Sequence, residues 1–498
     1  MNYISTRNKK IKVTAAQAII KGIAEDGGLF VPEVFPVIDK SFLQTLYTCS
    51  YQERAYKILS LYLTDYTEQE IKNCIANAYG NNKFDTSGIA PVIILKNNYQ
   101  CLELWHGPTS AFKDMALQLL PQLMSTALKK TDEENNIIIL VATSGDTGKA
   151  ALEGFCDVPQ VNIVVFYPDQ GVSDIQRQQM ITQKGDNVKV VAIKGNFDDA
   201  QSGVKNIFND KTFACTLKKA GYQLSSANSI NWGRLLPQIV YYFSAYADLV
   251  NNHSIQTGDK INFAVPTGNF GDILAGFYAK KMGLPINKLI CASNSNNVLT
   301  EFLTTGSYDK NRQFFKTISP SMDILISSNL ERLLFYLTEN NDKQINEWMD
   351  SLNKTGHYDV GKQYRSKLQN LFFADWINET QTLEMIKKVY DKNNYVIDPH
   401  TAVAWQAAEN YKKRTDDNKT PMVVLSTASP YKFNDSVLTA LNVNIQGQNE
   451  FTLLKKLKKY NQQNIPAGLS ALEHAVVKHT DICQPEEMAD IIKKYLKI

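Results

Sequence analysis

Residues 137–148 read Ile137-Ile138-Ile139-Leu140-Val141-Ala142-Thr143-Ser144-Gly145-Asp146-Thr147-Gly148. A short unbroken apolar run bounded by turn residues suits a strand covered on both faces, and the small polar residues that follow make a tight turn. An amphipathic stretch beginning near Lys149 then reads as a helix. Strand, turn and helix in that order are the unit of a parallel sheet with helices packed on it. The same unit recurs around strands expected at 162–167, 189–193, 261–265 and 288–292, and a last strand is expected at 422–425. The fold class is therefore α/β.

Outward from this block the patterns differ. Residues 1–95 carry a helical stretch at 15–24, a Gly27-Gly28 turn, Pro32, Pro36 and amphipathic segments at 43–63, which reads as a partly helical N-terminal region. Residues 300–390 contain helical patterns such as 329–337 and offer no chemistry; the tail after 440 is Lys-rich and helical, with Pro485-Glu486-Glu487 as a helix start. The expected units are 1–95, 96–255, 256–440 and a tail at 441–498.

Composition narrows the function classes. Across 498 residues, 53 Lys plus Arg against 50 Asp plus Glu leave a net charge of +3, too balanced for a protein that lives by neutralising a phosphate backbone, so nucleic acid is not expected. No apolar run approaches the roughly twenty residues of a spanning helix, and the basic N-terminus lacks the apolar core of an export signal. No membrane is expected, and the expected location is the cytoplasm. Seven cysteines without a Cys-x-x-Cys pair suit free thiols better than a disulfide frame or a zinc site.

Ligands of open α/β sheets bind beyond the carboxyl ends of the strands, so the turns there carry the chemistry. The 143–148 turn has two glycines that admit an anion close to the backbone and leads into a helix start with unpaired N–H groups. It is not a nucleotide loop: a Walker motif needs Gly where Thr143 stands and Ser or Thr where Ala150 stands. The second turn, Pro266-Thr267-Gly268-Asn269-Phe270-Gly271-Asp272, precedes a helix at 273–282 and can wrap N–H groups around one phosphate; it lacks the fingerprint of a dinucleotide site. The third stretch is Glu103-Leu104-Trp105-His106-Gly107-Pro108-Thr109-Ser110-Ala111-Phe112-Lys113-Asp114-Met115. Here Lys113 falls in the first turns of a helix continuing through Leu119 and Leu120, among Trp105, Phe112, Met115 and Leu117. Burial disfavours a charged lysine and frees its amine to attack an aldehyde.

The run His106-Gly107-Pro108-Thr109 with Phe112-Lys113-Asp114 resembles the cofactor-lysine segment of the threonine synthase family. Similar to the same family, in order, are 27–32, 142–148, 226–231 with Arg234-Leu235-Leu236, 268–272 and 399–404. The resemblance implies two parallel-sheet α/β lobes of the tryptophan synthase β-like fold (fold type II), pyridoxal 5'-phosphate as cofactor, and conversion of O-phospho-L-homoserine and water to L-threonine and phosphate. It implies that Lys113 carries the cofactor and takes the substrate's Cα proton. Gly268, Asn269, Phe270 and Gly271 would hold the cofactor phosphate, and Thr427 would hydrogen-bond the pyridine nitrogen. Ser144, Gly145, Asp146 and Thr147 would face the substrate's amino-acid end, with His106 and Thr109 near the substrate. Ser173, Asn228, Ser229, Asn231 and Arg234 would cradle its phosphate, Arg234 because a guanidinium fork matches phosphate oxygens.

His400, after Asp398-Pro399 at a helix start, is expected to pack or cap. No two histidines stand at ligand spacing, so no catalytic metal is expected. Where the family often has Gly-Thr-Ala-His-Pro this chain has Ser426-Thr427-Ala428-Ser429-Pro430. The chain is expected to be a monomer or weak homodimer. Rival readings are a phospho-lyase or dehydratase of the same fold, which would release a 2-oxo acid, and a non-catalytic phosphate-binding α/β protein.

Overall fold

The apolar run at 137–142 is the strand Asn136–Ala142 in a five-stranded parallel sheet, flanked by Tyr222–Ser225 on one side and Val161–Pro168 on the other. Val188–Ile193 and then Asp481–Cys483 complete it. In the computed structural model, which describes residues 1–80, 82–96, 98–169 and 172–498, nearly every residue of the three central strands is buried, as a strand sandwiched by helices requires. A second sheet runs in the order Phe372–Trp376, Ile286–Ser293, Ile261–Pro266, Met422–Ser426, Tyr99–Glu103, Val92–Leu95, parallel except for the last pair. All six expected strands are present, each extended by one to three residues. Five further parallel or edge strands of these sheets, those at 92–95, 99–103, 222–225, 372–376 and 481–483, are too short or too polar for the pattern to reveal.

The sheets cut across the expected units. Tyr99–Glu103 was assigned with the first lobe and Val92–Leu95 with the N-terminal region, yet both belong to the second sheet because Tyr99–Glu103 pairs with Met422–Ser426. The tail is not wholly helical: Asp481–Cys483 closes an edge of the first sheet, and only then does Met488–Leu496 follow. The N-terminal region contains an unexpected antiparallel sheet of Lys12–Val13, Tyr3–Ser5 and Phe30–Pro32, and its helix Ala15–Lys21 ends at Gly22 (φ 71°). That region docks on the second lobe through Arg7, whose guanidinium donates to both carboxylate oxygens of Glu331 at 3.0 and 2.8 Å.

The helix after the first turn begins at Asp146 rather than Lys149. After Lys113 the expected continuous helix is broken into Asp114–Leu117 and Leu120–Lys130. Pro121 is the reason, since it has no N–H for the Leu117 carbonyl. The seven cysteines are all free, and among the described residues no helix is long and apolar enough to cross a membrane.

Candidate active site

The carboxyl ends of both sheets open onto one cavity of about 420 Å³. Lys113 reaches it because the chain beyond the parallel strands Tyr99–Glu103 and Met422–Ser426 turns back, and 110–112 meets 427–429 in a short antiparallel bridge. The Phe112 N–H donates to the Thr427 carbonyl (2.8 Å), the Ser429 N–H to the Ser110 carbonyl (3.1 Å), and Ala111 bridges Ala428. This rail fixes Lys113 and Thr427 side by side on the cavity wall. The Lys113 amine is buried, 2.9 Å from Ser321 Oγ and 3.5 Å from Asp146 Oδ2, over the ring of Phe112. Burial pushes its pKa below the usual lysine value; Asp146 opposes that shift, while Lys432 and Arg234 add to it.

Asp146 opens the helix Asp146–Phe155, and the turn before it is shaped by Thr143, whose Oγ1 accepts from the N–H groups of Gly145 (3.0 Å) and Gly148 (2.9 Å). Gly145 sits at φ 143°, and a Cβ there would run into the Gln176 side chain, so the position requires glycine. Ser144, Asp146 and Thr147 line the cavity. The Asp146 carboxylate faces inward instead of toward open space: it pairs with Lys432 Nζ at 2.5 Å and accepts from Gln176 Nε2 at 2.8 Å. Burial alone would raise its pKa, but the charges of Lys432 and Lys113 hold it far below the usual carboxylate range.

Gly268, Asn269, Phe270 and Gly271 form the N-terminal turn of Gly271–Met282, with Phe270 in the left-handed region (φ 63°). The Asn269 carbonyl accepts from both the Asn329 N–H (3.1 Å) and Asn329 Nδ2 (3.0 Å). Asn329 Nδ2 also donates to Ser229 Oγ (2.8 Å), and Arg332 donates to the carbonyls of Ser229 and Ile230. Two turns from different lobes are thereby tied to one short segment. Next to this turn, burial lifts the Asp272 carboxyl to about 6, against the hydrogen bonds of Tyr241 and Tyr242.

Arg234 lies in the first turn of Trp232–Asn251 and lines the cavity. Its Nη1 donates to the Ala227 carbonyl (2.9 Å), its Nε is buried without a partner, and burial lowers its pKa to about 10. Asn228 and Ser229 also line the cavity.

Five expected residues do not line it. His106 stacks on Trp105 and bridges Asp85 (2.5 Å) and Glu103 (2.8 Å), so it ties the end of Tyr99–Glu103 to the loop at Asp85 and is not among the residues lining the cavity. Thr109 is spent on Asp114, through its N–H (2.8 Å) and hydroxyl (2.7 Å). Ser173 caps Asp174–Ile181. Asn231 caps Trp232–Asn251 and donates to the Ile19 and Ser226 carbonyls. Gly145 contributes backbone shape only. The expectation for His400 was packing or capping; it pairs with Asp398 (2.8 Å), and its Nε2 also lines the cavity and accepts the Ser321 N–H at 3.1 Å. Residues missed altogether are Ser321, Asn329 and Lys432. The first two sit in the 300–390 segment, whose helical patterns and intervening polar turns offered no chemistry, and Lys432 carried no signal beyond following Ser429-Pro430.

Three family models match the chain: threonine synthase N terminus over residues 2–79, pyridoxal-phosphate dependent enzyme over 97–361, and threonine synthase, C-terminal, over 401–493. Threonine synthase of Saccharomyces cerevisiae is 37% identical over 96% of this chain and 98% of its own length. Human threonine synthase-like 1 is 42% identical over 98% of this chain; the chain spans 66% of that relative's length. The crystal structure of threonine synthase from Brucella melitensis with pyridoxal phosphate bound superposes with a TM-score of 0.87 at 35% identity, covering 100% of this chain and 99% of the other. With the family's domains matched in order along the chain and its fold reproduced end to end, the chain belongs to the threonine synthase family of pyridoxal-phosphate-dependent enzymes.

Proposed function

We propose that this chain uses pyridoxal 5'-phosphate to convert O-phospho-L-homoserine and water to L-threonine and phosphate. The observation that carries the reading is the buried Lys113 amine, lowered in pKa, on the wall of a cavity that also holds a helix-start turn and an unpaired buried guanidinium nitrogen. These residues fit the cofactor. Gly268 has no room for a Cβ, which would stand 2.6 Å from the Ser321 carbonyl, and the turn it belongs to lines the cavity at the N-terminus of Gly271–Met282, where unpaired helix N–H groups favour a phosphate. Thr427, which also lines the cavity, offers a hydroxyl to a ring nitrogen without forcing its protonation. When bound, the cofactor supplies an electron sink for charge developed at the substrate's Cα.

The protein's own groups do the rest. Lys113, poised toward its neutral form, is the base at Cα and the acid that later returns protons. Ser321 receives an N–H from the Lys113 amine and keeps it on one side of the cavity. Ser144 and Thr147, at the N-terminus of Asp146–Phe155, take the substrate carboxylate, while Asp146 stays engaged with the two lysines. Arg234, with Asn228 and Ser229, takes the substrate phosphate; its unpaired Nε gains a partner only when an anion arrives. Few titratable side chains remain to activate the water that adds at Cβ, and the departing phosphate serves as that base.

The test is product analysis of purified protein loaded with pyridoxal phosphate. Threonine and phosphate in equal amounts support the reading, and 2-oxobutyrate without threonine refutes it. Loss of the lysine-linked visible absorbance in Lys113→Ala identifies the cofactor lysine. Equal turnover with a phosphate-free leaving group would refute the role of phosphate as base.

A further inference from the structure

We propose that Lys432 is the counter-charge that keeps Asp146 from holding Lys113 protonated, and thereby sets the proton affinity of the Lys113 nitrogen. The inference rests on the reading above that Lys113 is the cofactor lysine.

Four elements place charge around that nitrogen. Asp146 comes from Asp146–Phe155, Lys432 from the turn Pro430–Lys432, Arg234 from Trp232–Asn251 and Asp272 from Gly271–Met282; the neutral Ser321 hydroxyl completes the shell. Asp272 is engaged by the hydroxyls of Tyr241 (2.6 Å) and Tyr242 (3.0 Å). The balance is therefore decided at Asp146. Its Oδ1 is 2.5 Å from Lys432 Nζ, whose side chain is fully buried, whereas its Oδ2 is 3.5 Å from Lys113 Nζ. Coulomb attraction falls with distance, so the closer lysine takes most of the carboxylate's charge. With Lys432 positive and Arg234 positive against one carboxylate, a proton on Lys113 would make the buried group more cationic still. Without Lys432, Lys113 would be the cation nearest a buried carboxylate. A lysine locked in that ion pair can neither attack an aldehyde nor accept a proton from carbon.

The chain anchors Lys432 for this position. Ser429 Oγ accepts from the Tyr431 N–H (3.4 Å), while its own N–H reaches the Ser110 carbonyl; the Lys432 amine also donates to the Thr109 carbonyl (3.0 Å). Lys432 is thus tied to the rail that carries Lys113, and the spacing of the two lysines about Asp146 is set by the same turn.

The experiment titrates the visible band of the holoenzyme with pH in the wild type, Lys432→Met, Lys432→Arg, Asp146→Asn and the double variant Lys432→Met/Asp146→Asn. Lys432→Met should raise the midpoint by about one unit or more, since an uncompensated carboxylate within a few ångströms shifts a cation by that much. Lys432→Arg should leave it in place, Asp146→Asn should lower it, and the double variant should lose the rise, because the carboxylate responsible is gone. No rise in Lys432→Met, or a rise of the same size in the Asp146→Asn background, overturns the proposal. Should Lys432→Met not retain cofactor, Lys432→Arg and Asp146→Asn decide: unmoved and lowered, respectively, supports it, and any other pair of results overturns it. A wild type that forms no visible band would instead refute the cofactor reading on which the proposal rests.

Discussion

Replacing Gly268 by alanine isolates one steric element of the turn proposed to hold the cofactor phosphate. The backbone there is not left-handed, so an alanine is conformationally acceptable and the effect comes from the added methyl alone. That methyl would stand 3.4 Å from Met322 Cα and 2.6 Å from the Ser321 carbonyl oxygen, the latter closer than real Cβ contacts come, so the backbone must shift before the methyl fits. Ser321 has little freedom to retreat, because its N–H is held by His400 Nε2 at 3.1 Å and His400 is held by Asp398 at 2.8 Å. Overpacking of a fixed site costs about 1 to 3 kcal/mol, which corresponds to a loss of about 5- to 150-fold in affinity if it falls on the cofactor turn. Titration of cofactor-free protein with pyridoxal phosphate, followed by the visible band, measures it. Gly271→Ala is the control: its nearest neighbour, Ser229 Cβ, is 3.3 Å away and belongs to a side chain, so the loss should be smaller. Undiminished affinity in Gly268→Ala, or a larger loss in Gly271→Ala, would refute the claim that close approach of the 320–322 segment shapes this turn.

Arg234→Met should raise KM for O-phospho-L-homoserine at least tenfold with a smaller change in kcat, because it removes a charge-assisted contact made on binding; steady-state kinetics decide. Asn329→Ala removes donors to Ser229 Oγ and the Asn269 carbonyl and should cost about 2 kcal/mol, seen as a lower midpoint in urea. Burial alone would lower the His106 pKa, but Asp85 and Glu103 outweigh it and lift it to about 9, above its unfolded value. The stability this contributes is full below the unfolded pKa and lost as pH rises through about 9. His106→Gln should therefore be destabilised at pH 6, with the deficit shrinking by pH 10, in thermal melts across that range.

The framework of the fold was legible because its signal is local. A run such as 137–142, short, rich in isoleucine and bounded by turn residues, suits a buried strand, and the turn after such a strand sits at a sheet's carboxyl end. The Lys113 segment, the 268–271 turn and Arg234 were legible for the same reason: each is a contiguous motif. The residues that complete the site are not contiguous. Ser321 is 208 positions from Lys113, and Asn329 joins Ser229 across 100 and Asn269 across 60. A serine or asparagine in a polar loop looks the same whether it meets water or a buried amine, so nothing local marks it. His106, Thr109 and Asn231 erred the other way: they stand inside motifs but spend their polar atoms on Asp85 and Glu103, on Asp114, and on the carbonyls of Ile19 and Ser226.

The pairing of Tyr99–Glu103 with Met422–Ser426 also sets an order of events during synthesis. The hairpin Val92–Leu95 and Tyr99–Glu103 leaves the ribosome early, yet the neighbour of its inner edge is more than three hundred residues behind it. At about ten residues per second that edge waits roughly half a minute. The strand Ile261–Pro266 waits for the same partner from its other side. Nascent chains that extend past residue 266 but have not reached residue 422 therefore carry two open strand edges, which is where chaperone binding or aggregation of this protein should concentrate.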